Sequence, residues 1–289
     1  MKTAVILGAG MMGQAVRNLL NLNSMELVAV GDNNEKKWDE NAEVPVLPVE
    51  EALRAAPDLV LVCVLDDERA GQLSAQARSL GYSGPLMTLA DVYQLFDVRG
   101  ATFRRMADRI EARNVPGAMA ELGTYRGDFA WQMNERFPDR RLYLFDTFGG
   151  FDRRDVEAEK RVSACSEWKR DFSATSAADV LARMPYERSV VIRQGYFPET
   201  TDGLEDERYA LVSLDVDLYA PTLAGLTYFV PRMSPGGAVF LHDYNSLQFD
   251  GVRLALRAYE AAHGPLTLLP LSDLHGTAVL LFPEGGDRA

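Results

Sequence analysis

Two apolar runs, Ala210 to Leu214 and Ala238 to Leu241, each end on ionisable residues: Asp215 and Asp217 after the first, His242 and Asp243 after the second. A carboxylate can ligate a divalent cation or take a proton, and an imidazole with an unperturbed pKa of about 6.5 can do either near neutral pH. An amphipathic stretch, Pro221 to Met233, and the turn Ser234-Pro235-Gly236-Gly237 separate the runs. The segment therefore reads as a βαβ unit whose parallel strands are covered on both faces. Polar residues just past the carboxyl ends of such strands point into the ligand crevice, so these four should face one another across one site. Of the three histidines, only His242 sits at a strand end opposite carboxylates; His263 reads as a helix-end residue and His275 as a turn residue. A strand of period two that must also supply a helix-entry residue favours Asp215 inside the site, with Asp217 as a helix start or supporting group. Tyr219 and Tyr244 fit either an acceptor-pocket wall or the core.

Two glycine loops are the other places where chemistry is written. In the first, the strand Thr3 to Leu7 runs into Gly8-Ala-Gly10-Met-Met-Gly13 and a helical pattern, and a second strand ends at Asp32, 19 residues after Gly13. Such a loop lets a pyrophosphate approach a helix N-terminus, and the acid suits a ribose. The reading is a site for NAD(P) or another nucleotide, with a ligand-free Rossmann-like scaffold as the alternative. In the second, Glu121-Leu-Gly123-Thr124-Tyr125-Arg-Gly127 follows a strand and precedes a helix. The next strand ends on Asp146, and the one from Ser189 to Arg193 ends at Gln194-Gly195-Tyr196. Acids after consecutive strands favour ligand binding over simple capping of helices.

These sites need two α/β layers to carry them, and 289 residues with 47% hydrophobic and 25% charged content are enough. The expected organisation is a small Rossmann-like parallel sheet of about four strands over residues 1–92, a helical linker over 93–116, and a second α/β domain over 117–289. Five βα steps and a closing antiparallel hairpin, Leu266 to Leu271 with Thr277 to Phe282, give that second domain a seven-stranded sheet. Residues Asp152 to Lys169 are charged and weakly periodic, which predicts a lid or loop, and Ser176 or Thr175 should cap the helix that follows. The net charge of −12 is spread along the chain, with no basic stripe for nucleic acid or an anionic membrane. No apolar run has transmembrane length, and Met1-Lys2-Thr3 leads straight into a strand, so the expectation is a cytoplasmic protein. Cys63 and Cys165 do not suggest a disulfide framework, and Cys63 reads as core.

The segments AELGTYRGDFA, LYLFDTFGGF, FSATSAADV, VVIRQGYFPETT, SLDVDLYAPT, SPGGAVFLHDYNS and GVRLALRAY, taken in order, resemble the class I S-adenosylmethionine-dependent methyltransferases over residues 117–289. More closely they resemble the macrocin O-methyltransferase (TylF/MycF) family, which methylates sugar hydroxyls. That resemblance implies a seven-stranded methyltransferase sheet with a C-terminal antiparallel hairpin. It implies that Glu121, Gly123, Thr124 and Tyr125 hold the methionine part of the cofactor, that Asp146 takes the ribose hydroxyls, and that Gln194, Gly195 and Tyr196 lie by the adenine. Asp215 and the pair after the next strand would hold a divalent metal, usually magnesium. Here that pair is His242-Asp243 where better-known members have two aspartates, and imidazole suits zinc or softer metals. Two schemes stay open: His242 as a metal-free base beside Asp215 and Asp243, which is the preferred one, or a metal held by the three. The expected partner is a small-molecule hydroxyl acceptor, a sugar or nucleotide-linked sugar, with the chain working alone or as a homo-oligomer. Two other classes compete. An NAD(P)-dependent oxidoreductase would work through the first domain, which lacks a catalytic half, and a non-catalytic carrier- or nucleotide-binding protein would leave Asp215, His242 and Asp243 without a purpose.

Overall fold

Alternation of short apolar runs with amphipathic segments builds two sheets, and contacts divide the chain into two units, Met1–Asp97 and Val98–Ala289. The computed structural model describes residues 1–163, 172–246 and 250–283. The first unit comprises β1 (Lys2–Leu7), α1 (Met11–Leu19), β2 (Met25–Gly31), β3 (Val46–Leu47), α2 (Val49–Leu53), β4 (Leu59–Val62), α3 (Asp67–Ser79), β5 (Leu86–Thr88) and α4 (Leu89–Leu95). Its strands run in the order β3-β2-β1-β4-β5, every pair parallel. The sheet has five strands rather than the expected four, because β3 is only two residues long and leaves no periodic trace. Val5, Leu7, Ala29, Val60 and Val62 form its core with Val49 and Ala52 of α2. Cys63 is buried there, and burial pushes its thiol up to about 12, as an inert core residue requires.

The second unit begins with α5 (Val98–Ala112), followed by β6 (Ala118–Leu122), α6 (Asp128–Arg136), β7 (Leu142–Asp146), α7 (Arg153–Val162), α8 (Ala177–Arg183), β8 (Val190–Gln194), β9 (Tyr209–Leu214), α9 (Tyr219–Phe229), β10 (Met233–Leu241), α10 (Gly251–His263), β11 (Thr267–Pro270) and β12 (Ala278–Leu281). The strand order is β11-β12-β10-β9-β6-β7-β8. Five strands, β6 to β10, are parallel; β12 pairs antiparallel with β10, and β11 with β12. Burial on both faces explains why β6 and β9 are solidly apolar but for the polar residues that reach the site. One face packs Leu122, Phe145, Val212, Phe229 and Leu256, and the other packs Phe103, Phe129, Met133, Leu144 and Phe240. Among the described residues no helix is long and apolar enough to cross a membrane.

Three local expectations change. The helix α5 groups with the second unit instead of acting as linker, and α4 and α5 are separate helices on either side of the unit boundary. The four residues read as a turn at 234–237 belong to β10 as an irregularity, since the register jumps between Met233 and Ala238 while the strand continues. The charged segment from Asp152 holds the helix α7, started by the Asp152 carboxylate accepting from the Arg154 N–H. Its buried face consists of Asp155 and Glu159, one turn apart, which accept from the Tyr196 hydroxyl at 3.0 Å and the Tyr219 N–H at 2.6 Å. A helix that buries carboxylates escapes any search for apolar periodicity. Cys165 and the remainder of that segment lie outside the described residues.

Candidate active site

The site sits at the carboxyl ends of β6, β7, β9 and β10. Gly123 leaves β6 with φ +85, and its N–H donates to the Phe145 carbonyl at 2.9 Å. A Cβ at Gly123 would overlap the Asp215 carbonyl oxygen and lie 2.7 Å from the carbonyl carbon, so the loop closes directly on the backbone of the acidic cluster. Only glycine tolerates both the positive φ and that approach. Asp146, at the end of β7, accepts the Tyr125 N–H at 2.8 Å on one oxygen and the Phe148 N–H at 2.7 Å on the other. Its carbonyl accepts the Gly195 N–H at 2.9 Å, which ties Gln194 and Gly195 to the same rim. The Thr175 hydroxyl donates to the Tyr125 carbonyl at 2.6 Å and steadies the loop, while Ser176 caps α8. Glu121 is 2% exposed, and its Oε2 and the Thr124 Oγ1 have no protein partner. Burial raises the Glu121 carboxyl well above the carboxylate range, only partly offset by Arg99. Buried polar atoms left unpaired beside a glycine loop are what a polar ligand would satisfy. The Tyr196 hydroxyl is turned to Asp155 of α7, with the Arg154 guanidinium over its ring.

Asp215, Asp217, His242 and Asp243 offer ligand atoms that all lie within 4.8 Å of one another. His242 Nδ1 stands 2.9 Å from Asp215 Oδ1 and 2.7 Å from Asp243 Oδ2. The other Asp215 oxygen takes the Arg99 Nη1 at 2.8 Å, and Arg99 Nη2 donates to Ser213 Oγ at 2.8 Å. Phe129 lies under that guanidinium, 4.3 Å from ring centroid to Cζ. Asp217 joins the cluster rather than starting α9, whose N-cap is Leu218. The reason is its backbone: φ is +58 at Asp217 and +54 at Asp243, so strand alternation does not apply beyond Leu214. His275, placed in the β11–β12 turn as expected, sets its ring 5.1 Å from that of His242. His263 ends α10 and stacks on Tyr259. Tyr244 packs against the core, and Tyr219 is held through its backbone by Glu159.

Charge is unevenly shared in this cluster. Burial works to raise Asp215, but His242 and Arg99 outweigh it and lower its pKa; Asp243 is likewise lowered by His242 against burial. Burial works to lower His242, but Asp215 and Asp243 dominate and raise it to about 10. It is therefore an imidazolium at neutral pH in this arrangement, which works against its role as a metal-free base. Asp217 is raised well above the carboxylate range by burial, then by Asp243 and Asp215, and it shares a hydrogen bond with Asp243. Sequence reading missed Arg99, Ser213 and the inward turn of Asp217. Arg99 lies 116 residues before its partner Asp215, and no local pattern marks such a pair.

In the first unit, Gly13 packs so closely on the Gly8 carbonyl that no Cβ fits, and Gly10 precedes α1. Asp32 is buried, accepting the Ala9 N–H at 2.7 Å, the Asn34 N–H at 2.8 Å and the Lys37 ammonium at 3.1 Å. The fingerprint residues Gly8, Gly10, Gly13 and Asp32 are thus one structural feature, with Asp32 bracing the loop.

Comparison with known proteins gives this geometry a lineage. The model of the family described as macrocin-O-methyltransferase (TylF) matches residues 38–281. The 8-demethyl-8-(2,3-dimethoxy-alpha-L-rhamnosyl)-tetracenomycin-C 4'-O-methyltransferase of Streptomyces olivaceus is 28% identical over 228 residues, 72% of this chain and 81% of that protein. The mycinamicin III 3''-O-methyltransferase of Micromonospora griseorubida is 29% identical over 170 residues, 52% of this chain and 63% of its own length. Among solved structures, the O-methyltransferase NovP shares the fold with a TM-score of 0.54 at 22% identity, covering 64% of this chain and 80% of that one. The calicheamicin methyltransferase CalS11 does so with 0.52 at 19%, covering 75% and 86%. The chain belongs to the macrocin-O-methyltransferase (TylF) family and is an S-adenosylmethionine-dependent O-methyltransferase.

Proposed function

We propose that the chain methylates a hydroxyl of a sugar or nucleotide-linked sugar at the cluster of Asp215, Asp217, His242 and Asp243. One observation carries this reading: the glycine loop at Gly123 is packed against the Asp215 backbone, so a donor held by the loop and an acceptor held by the cluster would meet. The sugar comes from relatives whose names specify a rhamnosyl 4'-oxygen and a mycinamicin 3''-oxygen. S-adenosylmethionine, when bound, supplies an electrophilic methyl group. Each Asp146 oxygen spends one lone pair on a backbone N–H and keeps capacity for a ribose hydroxyl. Glu121 Oε2 and Thr124 Oγ1, lacking partners, suit the polar methionine end, and Gln194, Gly195 and Tyr196 border the adenine side.

The donor set of the cluster fits a divalent cation, because three carboxyls and an imidazole bring ligand atoms within 4.8 Å of one another. Asp215, His242 and Asp243 would hold it, and bound there it would acidify the acceptor hydroxyl. Asp217, raised well above the carboxylate range, keeps its own proton and shares it with Asp243, so the proton the acceptor gives up would pass to an ionised carboxylate, Asp215 or Asp243. Arg99 and Ser213 fix one side of Asp215 and leave its Oδ1 toward the site. Transfer of labelled methyl from S-adenosylmethionine to a panel of glycosides and nucleotide sugars, with and without EDTA, tests the reading. Labelled product that disappears with EDTA is expected; no binding of S-adenosylhomocysteine at millimolar concentration would refute it.

For the first unit the reading is a nucleotide ligand without hydride transfer. The observation favouring it is Lys37, whose Nζ lies 3.7 Å from the Cβ position of Gly10 and so puts a cation at the mouth of the glycine loop. Fluorescence titration with NADH, NADPH and nucleotide sugars tests it, and loss of the signal in Lys37→Ala is the expected result.

A further inference from the structure

We propose that His242 makes the acidic cluster selective for a first-row transition dication, of the manganese, cobalt or zinc class, over magnesium. The inference rests on the reading that the cluster holds a cation. Nδ1 of His242 is the ring atom turned into the cluster, 2.9 Å from Asp215 Oδ1 and 2.7 Å from Asp243 Oδ2. Two adjacent ligands about 2.1 Å from a six-coordinate ion lie about 3.0 Å apart, so one ion can touch the nitrogen and both oxygens with little movement. The backbone is built to hold this arrangement. The His242 N–H donates to the Leu214 carbonyl at 2.9 Å, and Asp243 takes the positive φ that returns its carboxyl beside the ring of the residue before it.

The donor types decide which ion. Magnesium binds oxygen, keeps its waters and gains little from an imidazole, whereas manganese, cobalt and zinc accept nitrogen readily. Arg99 strengthens the bias, because it already holds the second oxygen of Asp215 at 2.8 Å and so dilutes the negative charge on which a hard ion depends. Nitrogen coordination depends less on that charge. With one imidazole nitrogen in place of one carboxylate oxygen, the site gives up part of its electrostatic pull and gains a softer bond.

Titration of the full chain with manganese(II) chloride, followed by the electron paramagnetic resonance signal of the free ion, gives an affinity without any acceptor substrate. Competition with magnesium chloride then gives the selectivity. The wild-type chain should prefer manganese by about 100-fold or more, and His242→Asp should narrow that ratio by about tenfold or more. If His242→Asp does not fold, judged by its melting curve, His242→Asn removes the same nitrogen and should narrow the ratio too. An equal ratio in the wild type and the folded variant would overturn the role of His242 while leaving the cation itself in place. Failure of the wild-type chain to bind either ion would overturn the cation reading, and this inference with it.

Discussion

Replacing Gly123 by alanine perturbs a close contact between the glycine loop and the acidic cluster. The added methyl would sit 2.7 Å from the Asp215 carbonyl carbon, where carbon atoms settle at about 3.5–4.0 Å, so the ends of β6 and β9 must part by about 1 Å. The Asp215 N–H donates to the Leu122 carbonyl at 2.9 Å at that very place, and a 1 Å separation breaks the bond. Left-handed backbone at a non-glycine residue costs about 1–2 kcal/mol, and a buried group left unpaired about 1–3 kcal/mol. Together these destabilise by about 2–5 kcal/mol, or a fall in Tm of about 5–15 °C for a unit of this size. Gly203→Ala is the control, because Gly203 also has a positive φ of +76 but a Cβ there would meet nothing within 4 Å. It should lose only the conformational share, about 1–2 kcal/mol. Differential scanning calorimetry compares the two, and calorimetric titration with S-adenosylhomocysteine reports the loop, where Gly123→Ala should bind about tenfold or more weakly because Asp215 and the loop no longer fit together. Equal melting of the two variants with wild-type affinity in both would refute the claim that loop and cluster are braced on each other.

Asp155→Asn tests the carboxylate face of α7. Burial, resisted by the Tyr196 hydroxyl, pushes Asp155 up to about 6, above its value in the unfolded chain, so the folded state holds the proton more tightly. That stability is complete below about pH 4 and is lost as pH rises to about 6, by up to about 3 kcal/mol. Above pH 6 the variant should therefore melt higher than wild type, and parallel melting curves across the pH range would contradict this. Asp146→Ala removes acceptors for two backbone N–H groups as well as the proposed ribose contact, and should weaken S-adenosylhomocysteine about tenfold or more by calorimetry. Arg99→Met leaves Asp215 without its guanidinium and should lower the stability measured by urea unfolding by about 3 kcal/mol, with Arg99→Lys recovering part of it; unchanged stability in Arg99→Met would remove Arg99 from the site.

What could be read in the sequence follows the physics of each contact. Strands buried on both faces are unbroken apolar runs, so β6, β9 and the second half of β10 announce themselves, and the polar residues that end them announce the site. Glu121, Asp146, Asp215, His242 and Asp243 were legible because the parallel sheet sends every strand end to the same edge. Asp217 was not, because alternation assumes extended backbone and its φ is +58. Arg99 was not, because its role comes from a helix far away in sequence that carries no glycine loop or strand end of its own. The same limit hid α7, whose inner face is Asp155 and Glu159. One of these carboxylates receives the Tyr196 hydroxyl just past β8, and the other receives the Tyr219 N–H that opens α9. Beside Glu159, Gly251 at the start of α10 leaves no room for a Cβ. A polar helix thus ties the end of β8 to the loop after the Asp215 cluster, using hydrogen bonds where a core helix would use leucines. Pattern reading finds what is buried because it is apolar. Here the residues at the strand ends of the candidate site are buried and polar, and their partners become visible only once the chain is folded.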